Sequence, residues 1–310
     1  MNDTAPGRAS FWRESLRNLL SFAKVEWQWI VILAAVFSIE QRFSFFNNDA
    51  RGILDQLLLA QGNAAKNIEI IRQYLPGILT STFLVFGTAA ISTYVFTVLY
   101  LRHEMKEKAP ALSAGNFVYW LWIMFQKALV LYLPLLLILL IFVFTAAPTP
   151  SEAISSFINM FLMLGTDEGA LVIADKGLSA VGPANLVLLL VGNIWFFYYY
   201  FCLYLLFLAS PLAVLRQKPV LKTSADMTKK DLLRIWWESM IVLGILFVVL
   251  LPVMVLGFEL VRNFGSTSPQ AAMVSALTSG IWESLSGVAM AIYAVVVFRI
   301  LTKEQKINAL

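Results

Sequence analysis

Few residues of this chain are of a type that does chemistry, and most of those few are ionisable groups in apolar surroundings. Lys127 lies within LWIMFQKALVLYL and Glu283 within SGIWESLSG. A charge is expensive at membrane depth, so Lys127 and Glu283 are candidates for an intramembrane polar site. The plainer reading is that long side chains reach back to the nearest interface. Glu238 follows Arg234 by four residues, and Arg262 follows Glu259 by three, so each pair shares a helix face and can form an ion pair. Asp167 and Glu168, inside GTDEG, could hold a cation, although such a pair is more often a solvated turn. The chain has no Gly-rich phosphate loop, HExxH, DxD or GxSxG motif. It has a single histidine, His103, and a single cysteine, Cys202. An intramolecular disulfide and a multi-histidine or multi-thiolate metal centre are therefore excluded. The expectation is a protein that is not an enzyme, with no catalytic, cofactor-binding or metal site.

The elements that position these groups are read from hydropathy. Of the 310 residues 59% are hydrophobic, and the mean hydropathy is +0.76. Soluble domains run near 45–50% apolar. The excess here is gathered into runs of about 20 residues or more, the length that crosses a ~30 Å hydrocarbon core as a helix. The expected fold is an all-α integral membrane protein, with six transmembrane helices and short amphipathic interfacial helices. The spans fall near 25–39, 77–101, 117–144, 186–215, 232–258 and 272–301, and residues 25–301 form one membrane domain. Residues 1–24 form a cytoplasmic segment carrying a basic amphipathic helix from Phe11, and residues 302–310 a polar cytoplasmic tail. No removable signal peptide is expected, so the first span serves as an uncleaved anchor.

Between spans one and two, ARGILDQLLLAQ and AKNIEIIRQYL each place leucines or isoleucines on one helical face, as surface helices would. Pro76 is then expected to open span two. SEAISSFINMFLML, after span three, could be a surface or re-entrant helix. Pro211 should kink the end of span four and Pro252 bend span five. In span six, Ala276, Gly280 and Ser284, then Gly287 and Ala291, make a small-residue stripe suited to close helix packing within the bundle.

Orientation comes from the cations. With both termini cytoplasmic, 16 of the 23 Lys and Arg fall at or within inside segments, which is the positive-inside pattern. The formal charge of +4 therefore reports topology, and no nucleic-acid partner is expected. The richest inside segment is VLRQKPVLKTSADMTKKDLLRIWW, from Val214 to Trp237. Arg216, Lys218, Lys222, Lys229 and Lys230 are expected to touch the headgroups of anionic lipid. Thr228 with Asp231 three residues on has the spacing of a capping box for span five. Trp236 and Trp237 would anchor that span at the interface. A shift of 114 residues lays Leu101-Arg102 on Leu215-Arg216 and Trp122 on Trp236, as if spans two–three and four–five were parallel repeats.

This layout and the motif LRQKPVLKTSADMTKKDLLRIWW resemble bacterial inner-membrane proteins of one group: the membrane domain attached to some glycerophosphodiester phosphodiesterases, and its stand-alone relatives. Ser224, Ala225, Thr228, Lys229, Lys230 and Trp236 occupy the pattern of that group's loop after span four. The chain carries no phosphodiesterase domain, so the resemblance implies no hydrolase activity. The function expected is that of a non-enzymatic accessory or organising component of the bacterial envelope. It would sit in the inner membrane, contact membrane lipids and have other envelope proteins as partners. The alternative is a carrier or permease for a lipid-like or small amphipathic solute.

Overall fold

The computed structural model describes residues 10–43, 56, 64–105, 110–145, 183–265 and 268–307. These form eight helices, and no strand occurs among the described residues. They are α1 (Phe11–Phe43), α2 (Ala64–Met105), α3 (Ala114–Thr145), α4 (Pro183–Leu205), α5 (Ala209–Val214), α6 (Val220–Thr228), α7 (Leu232–Phe264) and α8 (Pro269–Ile307). Five of them, α1, α2, α3, α7 and α8, contain stretches long and apolar enough to cross a membrane. In the fourth expected span, the described apolar stretch is the shorter Leu190–Leu205.

Several boundaries differ from the sequence expectation. The basic N-terminal helix and span one run on as α1, but the backbone leaves helical geometry at Glu26 (φ −107°, ψ 21°), close to where the two were expected to part. Pro76 does not open a helix: α2 passes through it and runs 42 residues. The second expected surface helix and span two are thus assigned to one continuous helix. α8 likewise continues through the expected polar tail to Ile307. The expected helix ARGILDQLLLAQ, of which only Gln56 is described, the segment SEAISSFINMFLML and the GTDEG pair lie outside the described residues.

The chain divides into two compact units. One holds residues 44–83 and 128–202; within it Trp195 Nε1 donates to the Leu131 carbonyl at 3.1 Å, and Tyr198 Oη to that of Val130 at 2.9 Å. The other holds residues 1–43, 84–127 and 203–310 and contains the main buried cluster. At its centre α8 lies along α1. The Ser284 hydroxyl donates to the Ile30 carbonyl at 3.1 Å, and a Cβ added to Gly280 would stand 2.7 Å from the Ala34 carbonyl. The small-residue stripe of α8 is therefore a packing seam, as small side chains allow.

The same unit contains the break that follows α4. Pro211 has no N–H to give the Phe207 carbonyl, and its ring crowds that group, so the helix stops at Leu205 and restarts as the buried α5. The interruption frees backbone groups in a dry setting, where each must find a partner. α6 supplies them. Thr228 Oγ1 donates to the Leu205 carbonyl at 2.7 Å, and Ser224 Oγ accepts the Leu208 N–H at 3.1 Å; both side chains are fully buried. Thr228 is thus not half of a capping box. Asp231 occupies the cap of α7 and makes no side-chain cap bond.

Candidate functional site

The basic segment between α5 and α7 is shaped by its first turn. Gln217 N–H bonds the Leu212 carbonyl at 3.1 Å and Arg216 N–H that of Ala213 at 3.0 Å, the paired bonds of a Schellman stop. Arg216 takes the left-handed position (φ 54°) that glycine usually fills. The turn leads the chain back against α3. Arg216 and Lys218 both lie over the ring of Tyr119, at 5.8 and 5.7 Å from its centroid, within cation–π range.

Beside that ring is a cavity of about 400 Å³. Tyr119, Trp122, Ile123 and Gln126 of α3 form one wall, and the run from Lys218 to Lys222 forms the other. None of these residues is acidic. Of the five cations expected to touch lipid, the fold thus gathers Arg216, Lys218 and Lys222 around the start of α3. Lys229 is exposed and bonds Asp226 at 3.1 Å, about two turns along α6 from Lys222. Lys230 is also exposed.

No protein-family model, curated protein or solved structure matches this chain.

Glu283 and Lys127 are not brought together. Glu283 Oε1 accepts from Gln41 Nε2 at 2.8 Å. The same amide lies 3.5 Å from Glu40 Oε2, and Glu40 is buried. Lys127 is half-buried on α3 and makes no ion pair among the described residues. A second cavity, about 460 Å³ and almost wholly apolar, lies between α1 and α8, bordered by Ser38, Arg42, Pro269 and Met273 among others. Neither Lys127 nor Glu283 lines either cavity.

Sequence reasoning missed Tyr119, Glu40, Gln41 and the cross-helix clamp at Arg299. That guanidinium pairs with Glu14 of α1 and, at 2.6 Å, with Glu104 of α2, whose other oxygen accepts from Tyr100 Oη at 2.9 Å. Only the helical phase of α1 offered a signal: Ile30, Ala34 and Ser38 recur every four residues, and Gln41 follows on that face. Glu259 and Arg262 pair at 3.8 Å while largely exposed, a contact of little energetic weight.

Proposed function

We propose that this chain is a non-enzymatic, multi-pass protein of the bacterial inner membrane that organises or accompanies other envelope components and holds anionic lipid against its cytoplasmic basic segment. The observation that carries the reading is one cavity lined jointly by Lys218, Lys222 and Trp122. Cation and indole together are the pair that membrane–water interfaces favour: the ammonium meets phosphate, and the amphipathic ring sits at headgroup level. Trp236 and Trp237, both exposed, give α7 the same anchor at its start. Six spans follow from the apolar runs and cytoplasmic termini from the cation count, with the apolar run ending at Leu205 as the fourth crossing. On this reading the N-terminal part of α1, before Glu26, lies on the cytoplasmic surface. The resemblance to the membrane domain of glycerophosphodiester phosphodiesterases belongs to this proposal as a layout only.

The test is lipid enrichment around the purified chain in mixed phosphatidylglycerol–phosphatidylcholine nanodiscs. Replacing Lys218, Lys222, Lys229 and Lys230 with Gln is expected to reduce phosphatidylglycerol enrichment at low salt; unchanged enrichment overturns the lipid contact. Co-purification in mild detergent is expected to recover an envelope partner.

The Glu40–Gln41–Glu283 cluster favours the second reading, a carrier for a lipid-like or small amphipathic solute. Two carboxylates share one amide donor between apolar helices, and no cation pairs with either among the described residues. On that reading Glu283→Gln abolishes solute uptake in proteoliposomes while leaving the fold intact; uptake equal to wild type removes it.

A further inference from the structure

We infer that the cavity between the start of α3 and the first turn of α6 seats the phosphate of a single anionic glycerophospholipid. The inference rests on the lipid-contact reading above and narrows it from a diffuse basic face to one site. Lys218 and Lys222 stand four residues apart on one wall, with no acid in the lining. Asp226 is the acid placed to neutralise Lys222 along α6, but it is bonded to Lys229 instead. Lys218 meets the face of Tyr119, which attracts a cation without satisfying its N–H donors. Among the described residues two ammonium groups with donors to spare thus border a space of about 400 Å³, within the usual size of a small-molecule pocket.

The opposite wall decides between a soluble phosphate and a lipid. Trp122 borders the cavity yet remains 55% exposed, and it stacks at 5.8 Å on Phe125, itself 51% exposed. Apolar surface therefore leads from the phosphate position onto the outer face of α3, a helix apolar enough to cross a membrane. A free phosphate has no use for that surface. A glycerophospholipid covers it with glycerol and acyl chain while its phosphate meets the lysines. Gln126, on the same wall, is placed to bond a headgroup hydroxyl or ester oxygen.

The experiment is native mass spectrometry of the full chain in mild detergent, titrated with phosphatidylglycerol or with phosphatidylcholine of the same acyl chains. One phosphatidylglycerol is expected to be retained in preference to phosphatidylcholine. K218Q/K222Q is expected to weaken that retention roughly 30-fold, since each Lys near an anionic lipid contributes about fivefold. Trp122→Ala is expected to weaken it as well, and K229Q/K230Q to leave it nearly unchanged. All five positions are exposed, and matching thermal melts confirm that the variants fold. Equal losses from K218Q/K222Q and K229Q/K230Q overturn the site while leaving the diffuse lipid contact standing. Competition by millimolar glycerol 3-phosphate overturns the choice of a lipid over a soluble anion. Equal retention of both lipids, with no anionic enrichment in nanodiscs, overturns the site and the broader reading together.

Discussion

The backbone N–H of Trp12 donates to Glu238 Oε2 at 3.0 Å, joining residues 226 positions apart. The Ser10 hydroxyl reaches the same oxygen at 3.4 Å, while Glu238 Oε1 accepts from Arg234 Nε at 2.9 Å. The first turn of α1 exposes N–H groups with no intrahelical acceptor, and the helix dipole makes that end positive. A carboxylate borrowed from α7 satisfies both, and the Arg234 guanidinium closes the arrangement over the ring of Phe11 at 3.9 Å. The N-terminal helix is thus held by one buried acid, and Arg299 clamps it again through Glu14.

Glu238→Ala leaves Arg234 without its closest carboxylate and the start of α1 uncapped, so the expected loss is about 3 kcal/mol, as for a broken buried pair. Glu238→Gln keeps an acceptor for Trp12 and should lose about half as much. Thermal unfolding in detergent reads the stability. Limited proteolysis should show faster cleavage near Trp12 in the alanine variant, and cleavage at the wild-type rate there would show that α1 is held by other means.

The seam between α1 and α8 makes a second prediction. A side chain at Gly280 must displace the Ala34 carbonyl or the Ser38 side chain, whereas a Cβ at Gly287 meets nothing within 4 Å. Gly280→Val should destabilise by about 1–3 kcal/mol through overpacking. Gly287→Ala should be neutral or slightly stabilising, since it relieves the backbone freedom of a mid-helix glycine. Equal melting temperatures for the two variants would mean that the helices do not approach this closely.

These sites show what local spacing can and cannot reveal. The Arg234–Glu238 pair was legible because one helix makes it, but its service to α1 was not, since that depends on which helices meet. The small stripe of α8 was legible from Ala276, Gly280 and Ser284, whereas on α1 the fourfold spacing of Ile30, Ala34 and Ser38 is a faint signal among apolar residues that would suit any face. Pro76 and Thr228 misled for the same reason. A proline opens a helix or sits inside one, and a threonine caps a helix start or mends a break, according to neighbours that the local sequence does not name. The 114-residue echo meets the same difficulty: α2 runs unbroken through Leu101, but its counterpart parts after Leu205. The cations Arg216, Lys218, Lys222, Lys229 and Lys230 are exposed, yet Tyr119, the ring over which two of them lie, comes about 100 residues earlier.

The mended break supports the last prediction. Thr228→Val removes the shorter of two donors to the Leu205 carbonyl and leaves Ser224 Oγ at 3.3 Å. Its expected effect is about 1 kcal/mol. Ser224→Ala removes the other donor and also strips Leu208 N–H of its acceptor, which should reach about 2 kcal/mol. Because the two hydroxyls share the Leu205 carbonyl, the double variant alone leaves that part-buried group without a side-chain donor. Its loss should therefore exceed the sum of the singles by about 1 kcal/mol, a coupling that a double-mutant cycle measures. In a Pro211→Ala background the restored N–H can bond the Phe207 carbonyl and helix can continue through the break, so the coupling should shrink. Coupling of the same size with and without the proline would detach the two hydroxyls from the interruption.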